Sequence, residues 1–288
     1  MRILFRPWLL TLLFAVTAGQ LAAENSPLTF SVKNDDYQAL KSTIASKDQS
    51  TISPFEQFQL AVSAWRLGDL KAAKKRLKPL IDANYAIGDS LYLKGLIHLS
   101  EVDRVSVFKK LGAAKKAREA WIEAIEKDPQ HALSLFAIVG FFSQAPGIAG
   151  GDVDKARLWL TRLETVDNSF YQLGQGLIAA KTGALEDAER HLLSAVEDPD
   201  DQPLALMQLA QFYLRTDQFD RAINHLVTAQ KQARAWHHPT STQLLMMQGF
   251  AVQAQGDKDE ARRLFAEALA ATQNPNAMER IQNIITEL

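Results

Sequence analysis

Two short groups of residues in this chain are of the types that could carry out chemistry. The first is the segment Pro146–Asp152, in which three of seven residues are glycine and after which a helix is predicted. Glycine lets backbone N–H groups approach an anion, and the start of a helix attracts one, so the segment could bind a phosphate. The second is the pair His237–His238, whose imidazoles could bind a transition metal.

Both groups lack the residues that would complete such a site. The glycine segment is not followed by Lys-Ser or Lys-Thr, no strand is predicted before it, and Asp152 would bring a carboxylate to the helix start. Asp152 and Asp154 alone make a poor calcium site, because the other loop ligands are missing. Adjacent histidines rarely converge on one ion. We therefore predict a structural turn capped by Asp152, and a solvent-exposed loop at His237–His238.

No other constellation in the sequence points to catalysis. The remaining histidines are scattered, and no Gly-x-Ser-x-Gly, His-Glu-x-x-His or Walker-type sequence occurs. We expect no catalytic residue, no metal site and no cofactor, and hence a protein that is not an enzyme.

The first residues have the pattern of a secretory signal peptide. Arg2 and Arg6 precede an apolar stretch from Trp8 to Val16, and small residues follow up to Ala23. The alternative is a membrane anchor, but the apolar stretch is far shorter than the about 20 residues that span a bilayer. We predict cleavage after Ala23 and export to the periplasm, without stable insertion in the membrane.

Composition excludes several classes of function. The chain contains 0 Cys, which excludes disulfides, thiol catalysis and a lipid-bearing cysteine. Its formal net charge is -1, and loss of Arg2 and Arg6 with the signal peptide makes it -3. That imbalance is too small to attract nucleic acid or anionic lipid, so neither is expected as a partner.

The rest of the chain is a succession of helix pairs. Apolar residues recur at spacings of three and four, each pair turns at a Gly or Asp, and a small residue stands where the two helices must touch. Ala188, Ala222 and Ala261 hold this position in the last three pairs, 34 and then 39 residues apart. Small side chains there let the two helix backbones approach closely.

This period resembles that of the tetratricopeptide repeat family, whose unit is a pair of helices about 34 residues long. The resemblance implies an all-α, right-handed superhelical solenoid of about six pairs over residues 54–275. Residues 1–23 are the signal peptide, 24–53 an N-terminal segment with a capping helix, and 276–288 a C-terminal capping helix. Segments 106–129 and 141–156 are similar to exported bacterial members with an extended second-unit helix and an APGIAGG-type break.

The resemblance also predicts the residues of a concave groove. The family's groove positions, carried onto this chain, include Phe58, Arg66, Tyr92, Leu96, Phe141, Phe170, Leu177, Gln211, Arg215 and Phe250. The set is mostly apolar and aromatic, which suits an amphipathic helix or an extended apolar peptide. A clamp for a C-terminal carboxylate is not expected, because its basic residues are isolated. The alternative is a groove filled from within by the N-terminal segment or by the extended helix.

The function predicted from these features is that of a periplasmic adaptor for a protein or peptide partner. The alternative is a protein that binds an apolar or aromatic small molecule, comparable to the tetratricopeptide-like components of some periplasmic transport systems. A third possibility is head-to-tail self-assembly through the end helices. The sequence leaves open the partner's identity, the oligomeric state and the conformation of residues 104–116.

Overall fold

The computed structural model describes residues 28–102, 107–198, 202–232 and 234–288, so the predicted signal peptide lies outside the described residues. These ranges contain fourteen α-helices and no strand beyond an isolated antiparallel bridge between Ser31 and Ala235. In chain order the helices are α1 (Tyr37–Ala45), α2 (Pro54–Arg66), α3 (Leu70–Asp82), α4 (Ile87–Glu101), α5 (Val107–Lys127), α6 (Ala132–Gln144), α7 (Val153–Leu163), α8 (Asn168–Thr182), α9 (Leu185–Val196), α10 (Gln202–Arg215), α11 (Phe219–Gln230), α12 (Ser241–Ala254), α13 (Lys258–Ala271) and α14 (Pro275–Glu287).

The helices form six antiparallel pairs, from α2–α3 to α12–α13, with α1 and α14 at the two ends of the array. This confirms the predicted all-α solenoid of about six pairs with capping helices. The second helix of the second pair is extended at its start, as predicted, and begins at Val107. Residues 104–106 of the 104–116 segment lie outside the described ranges.

Small residues allow close contact inside the pairs. Ala188, Ala222 and Ala261 are fully buried. A Cβ atom on Gly95 would lie 2.1 Å from Nε1 of Trp121, so only glycine lets α4 and α5 approach at this point. The Trp121 indole N–H donates to the Tyr92 carbonyl at 3.2 Å across the same contact.

The break at Pro146–Asp152 is a turn with a helix cap, as predicted. Asp152 accepts hydrogen bonds from the backbone N–H groups of Asp154 and Lys155, both at 3.1 Å, and so begins α7. Gly151 is required for steric reasons, because an added Cβ would lie 1.8 Å from the Ala145 carbonyl oxygen.

The array curves until its first and last pairs meet. The backbone N–H of Gln38 donates to the Gln273 side chain at 3.0 Å, and the Gln273 amide donates to Asp36 at 2.8 Å. The Asn274 amide donates to the Arg66 carbonyl at 3.2 Å. The two ends of the solenoid are therefore joined by contacts between residues more than 200 positions apart.

Candidate interaction site

The loop between α11 and α12 enters the groove near the first two pairs. Trp236 has no exposed surface, and its ring packs edge-on against Phe58 at 5.1 Å and Tyr92 at 6.0 Å between centroids. His238 is 3% exposed, and its Nδ1 accepts from the Ala235 N–H at 3.0 Å. The prediction of a solvent-exposed loop at His237–His238 is wrong, because the curvature of the array brings the aromatic floor of α2 and α4 against this loop.

Metal binding finds no support at these histidines. Their rings pack edge to face with centroids 4.4 Å apart, and His238 is committed to a backbone hydrogen bond. Within the described ranges no group of three or more His, Cys, Asp or Glu side chains could hold a metal ion.

A short N-terminal segment, Leu28–Val32, lies across the same part of the groove, and we call it the strap. The Leu28 N–H donates to Asp89 Oδ2 at 2.8 Å, and the Leu28 carbonyl accepts from the Trp236 indole at 2.7 Å. The Trp236 backbone N–H donates to the Phe30 carbonyl at 2.9 Å, next to the antiparallel bridge between Ser31 and Ala235. The strap therefore pairs with the Trp236 loop through a single antiparallel bridge.

Phe30 holds the strap by its side chain. Its ring stacks on Trp236 at 6.4 Å and meets Phe55 and Phe58 edge-on at 5.8 and 6.4 Å. Such aromatic pairs stabilise by about 0.5–1.5 kcal/mol each beyond the area they bury. Strap, Trp236 loop and first pair thus share one aromatic cluster.

Arg66 fastens the Trp236 loop from the other side. Its Nη2 donates to the carbonyls of Trp236 and His238, at 2.6 and 2.8 Å. The guanidinium also lies 4.2 Å from the Trp65 ring centroid. The sequence predicts Arg66 as a partner-binding residue, and the structure uses it for a contact within the chain.

Asp89, His131 and Ser134 form a buried polar line beneath the strap. His131 Nδ1 accepts from the Ser134 N–H at 3.2 Å and lies 2.8 Å from Ser134 Oγ, while Nε2 lies 3.4 Å from Asp89 Oδ1. The order Ser, His, Asp is that of hydrolase triads. Ser134 has no exposed surface, however, and His131 acts as the cap of α6. These three residues hold the strap through Asp89, and the buried Ser134 hydroxyl is not accessible to a substrate.

The predicted groove residues divide into three sets by their surroundings. Phe58 and Tyr92 lie under the Trp236 loop, and Arg66 is engaged by that loop. Phe141, Phe170 and Leu177 are buried, at 9, 2 and 4% exposure. The third set comprises half-buried Leu96 and Gln211, and exposed Arg215 and Phe250, the last at 45%. The accessible part of the predicted set is therefore concentrated on α10 and α12, away from the strap.

A separate cavity, which the sequence analysis did not identify, opens beside the first pair. It measures about 800 Å³ and is lined by the segment before α2, the start of α2, and α3 with its C-terminal turn. Lys75 and Arg76 contribute the charge of its lining, and none of the described residues that line it carries a carboxylate. Ile52, Pro79, Leu80 and Tyr85 add apolar surface. The only feature of the sequence that points to this cavity is the run of basic residues in α3. Which of these residues face the cavity depends on the fold.

Among the described helices, none has both the length and the apolar character needed to cross a membrane.

Two segments of the chain, residues 58–132 and 201–274, match sequence models of the tetratricopeptide repeat. A tetratricopeptide repeat protein from Parabacteroides merdae superimposes with a TM-score of 0.54 at 15% identity, covering 87% of this chain and 91% of that one. A thermophilic TPR protein from Thermus thermophilus has a TM-score of 0.52 at 21% identity, covering 70% of this chain and 100% of its own. At these identities the likeness concerns the fold. No curated protein matches the sequence.

Proposed function

Because this chain is a tetratricopeptide repeat protein, we propose that it is a non-catalytic scaffold that binds a protein or peptide partner. Arrays of such repeats present extended concave surfaces on which partners dock. The observation that carries the proposal is the exposure of Phe250, 45% accessible on the first helix of the last pair. An exposed aromatic side chain on a groove helix is a typical anchor for a partner.

The proposed site is the accessible part of the predicted groove, on α10 and α12. Arg215 is exposed and Gln211 is half-buried on α10, and Phe250 and Gln253 are exposed on α12. The exposed aromatic side chain of Phe250, with polar and basic side chains exposed on the same two helices, suits a peptide that presents apolar and acidic side chains. We further propose that the scaffold works in the periplasm, on the basis of the signal-peptide pattern and the absence of Cys.

Site-specific photo-crosslinking in intact cells tests this proposal. A photoreactive amino acid at position 250 is expected to trap a discrete polypeptide. The matched control is position 158 on the second helix of the third pair, because Leu158 is also an exposed apolar residue, at 68%. Phe250→Ala should reduce trapping from a neighbouring position such as Gln253, while Leu158→Ala should not. The same products from positions 250 and 158, or none from 250, would contradict the proposal.

The 800 Å³ cavity favours small-molecule binding as a second candidate function. Its volume lies within the about 300–1,000 Å³ typical of ligand sites. Lys75 and Arg76, without a carboxylate among the described lining residues, favour an anionic ligand, and the apolar lining favours one that also has an apolar part. The sequence also predicts small-molecule binding as an alternative, but for an apolar or aromatic solute. The cavity favours a solute that carries a negative charge.

Native mass spectrometry of the purified protein separates the two candidates, since a co-purifying small anion favours the second and a co-purifying polypeptide favours the scaffold. Octanoate, with octanol as the uncharged control, probes the cavity directly. We expect octanoate to bind the wild type and to bind Lys75→Gln/Arg76→Gln at least about tenfold more weakly, because both cations are lost. Equal binding of octanoate and octanol would contradict the charge assignment.

A further inference from the structure

We propose that the strap, Leu28–Val32, is an intramolecular ligand in a peptide-binding site, and that the site takes an extended peptide with apolar side chains at alternating positions. The inference rests on the proposed function as a peptide-binding scaffold and specifies a second binding mode. It places this site between α2, α4 and the Trp236 loop, apart from the exposed positions on α10 and α12.

The backbone contacts of the strap do not depend on its side chains. Val32 has extended dihedral angles, with φ -116° and ψ 114°. The Trp236 N–H donates to the Phe30 carbonyl at 2.9 Å, and Ser31 bridges Ala235 in the antiparallel sense. Any extended peptide in this position can form the same bonds, as in recognition by strand addition.

The side chains of the strap alternate between the groove and solvent. Leu28, Phe30 and Val32 are half-buried and pack against the core, while Thr29 and Ser31 are exposed. This is the two-residue period of an extended chain with one face covered. The central pocket is the aromatic one formed by Phe55, Phe58 and Trp236 around Phe30, so an aromatic or large apolar residue is expected at the middle position.

The first residue of the strap is held by two buried polar groups, which a competing peptide could bind in the same way. Asp89, 3% exposed, accepts the Leu28 N–H at 2.8 Å, and the Trp236 indole donates to the Leu28 carbonyl at 2.7 Å. A buried carboxylate or indole N–H that loses its partner destabilises the protein. The site therefore favours exchange of the strap for another peptide over an empty state.

The strap joins the array through a strained turn. Asn34 and Asp35, between the strap and α1, both have left-handed backbone angles, with φ of 55° and 56°. Such angles are uncommon for residues other than glycine and carry a conformational cost. Asp35 itself stays attached to the array, because its Oδ2 accepts the Ser241 N–H at 2.7 Å and pairs with Arg234 at 3.1 Å. The strap lies before this turn, so it can leave the groove while the turn remains anchored through Asp35.

A strap tethered to the site competes with any free peptide at an effective concentration in the millimolar range. The apparent affinity for a free peptide is reduced by the fraction of molecules with the strap in place. Weakening the strap without altering the site must therefore tighten binding of a free peptide. This relation distinguishes an intramolecular ligand from a structural segment.

The test uses a fluorescently labelled peptide with the sequence of residues 26–34, titrated into the full chain. We expect Phe30→Ala to bind this peptide at least about tenfold more tightly than the wild type, because its own strap competes less well. Thr29→Ala, an exposed strap position, should behave like the wild type. Adding Phe55→Ala to Phe30→Ala should weaken binding again, and a peptide with Asp in place of Phe should not bind. Binding by Phe30→Ala no tighter than by the wild type, with an unchanged circular dichroism spectrum, would overturn the proposal.

If Phe30→Ala does not fold, amide hydrogen exchange of the wild-type protein tests the same proposal. The Trp236 amide, bonded to the Phe30 carbonyl, should exchange faster than amides in the middle of α2. Exchange of the Trp236 amide only through global unfolding would show that the strap is a structural element. A negative peptide assay together with trapping at position 250 removes this inference alone, whereas absence of trapping counts against the proposed function itself.

Discussion

Asp35 and Arg234 form an ion pair of 3.1 Å although 199 positions separate them in the sequence. Their side chains are 11 and 13% exposed, and Asp35 Oδ2 also accepts the Ser241 N–H at 2.7 Å. The pair connects the turn before α1 to the start of α12, and so adds to the contacts that join the two ends of the array.

Loss of this carboxylate should destabilise the protein strongly. Asp35→Ala leaves Arg234 largely buried without its partner, and we expect a loss of about 3 kcal/mol in the free energy of unfolding, measured by urea denaturation. Asp154→Ala is the control, because it breaks the exposed Arg157–Asp154 pair and should cost less than about 0.5 kcal/mol. Equal effects of the two substitutions would show that the buried ion pair does not hold the ends together.

Trp236 should be a principal stabilising residue of the closed array. Trp236→Ala removes a fully buried ring from the cluster with Phe30, Phe58 and Tyr92, and should cost about 3–5 kcal/mol. Phe250→Ala, at 45% exposure, should cost only about 1 kcal/mol. Thermal and urea unfolding of the two variants measure the difference, and a loop that tolerated the Trp236 substitution would contradict the packing described.

Arg66 should control the distance between the two ends. The chain has 0 Cys, so labels can be attached at Thr43→Cys in α1 and Met278→Cys in α14 without side reactions. Arg66→Gln removes the bonds to the carbonyls of Trp236 and His238, and we expect the distance distribution between spin labels to broaden and shift outward. If the folded variant had the same distance distribution as the wild type, the contacts other than those of the Arg66 side chain would be sufficient to hold the two ends together.

Two glycines on paired helices should respond to alanine with opposite signs. In Gly95→Ala the new Cβ would lie 2.1 Å from the Trp121 indole, itself 3% exposed, so overpacking should cost about 1–3 kcal/mol. At Gly112 nothing lies within 4 Å, and alanine should stabilise α5 by about 0.5–1 kcal/mol through helix propensity. Urea midpoints give both values, and a stabilised Gly95→Ala would refute the close contact between α4 and α5.

Stability should fall below neutral pH because of three histidines. Burial lowers the pKa of His98, His191 and His225 below the ordinary value of 6.5, and the Arg221 charge lowers the pKa of His225 further. In this range the unfolded chain binds more protons than the folded one, so the free energy of unfolding decreases as pH falls through 6.5 towards the lower folded values.

Urea midpoints at pH 7.5 and 5.5 measure this dependence. His225→Gln should reduce it, since the substituted residue takes up no proton in either state. A variant with the same slope as the wild type would show that His225 does not contribute.

The repeat architecture was predictable because its determinants are local. The helix pairs, the small residues at Ala188, Ala222 and Ala261, and the Asp152 cap each depend on residues within one unit, where periodicity and capping chemistry leave a pattern in the sequence. The capping helices were predictable for the same reason: a single apolar stripe marks each end.

Tertiary structure alone decided where the groove is open. The small rotation between successive pairs accumulates over six units and brings the strap and the Trp236 loop onto α2 and α4. No short-range pattern encodes a contact such as Arg66 with the Trp236 carbonyl, 170 positions away, so the histidine loop was wrongly predicted to be exposed. Phe58 and Phe250 are both predicted groove residues, yet one is fully buried and the other is 45% exposed. The sequence specifies the units, and their summed curvature determines which surfaces a partner can reach.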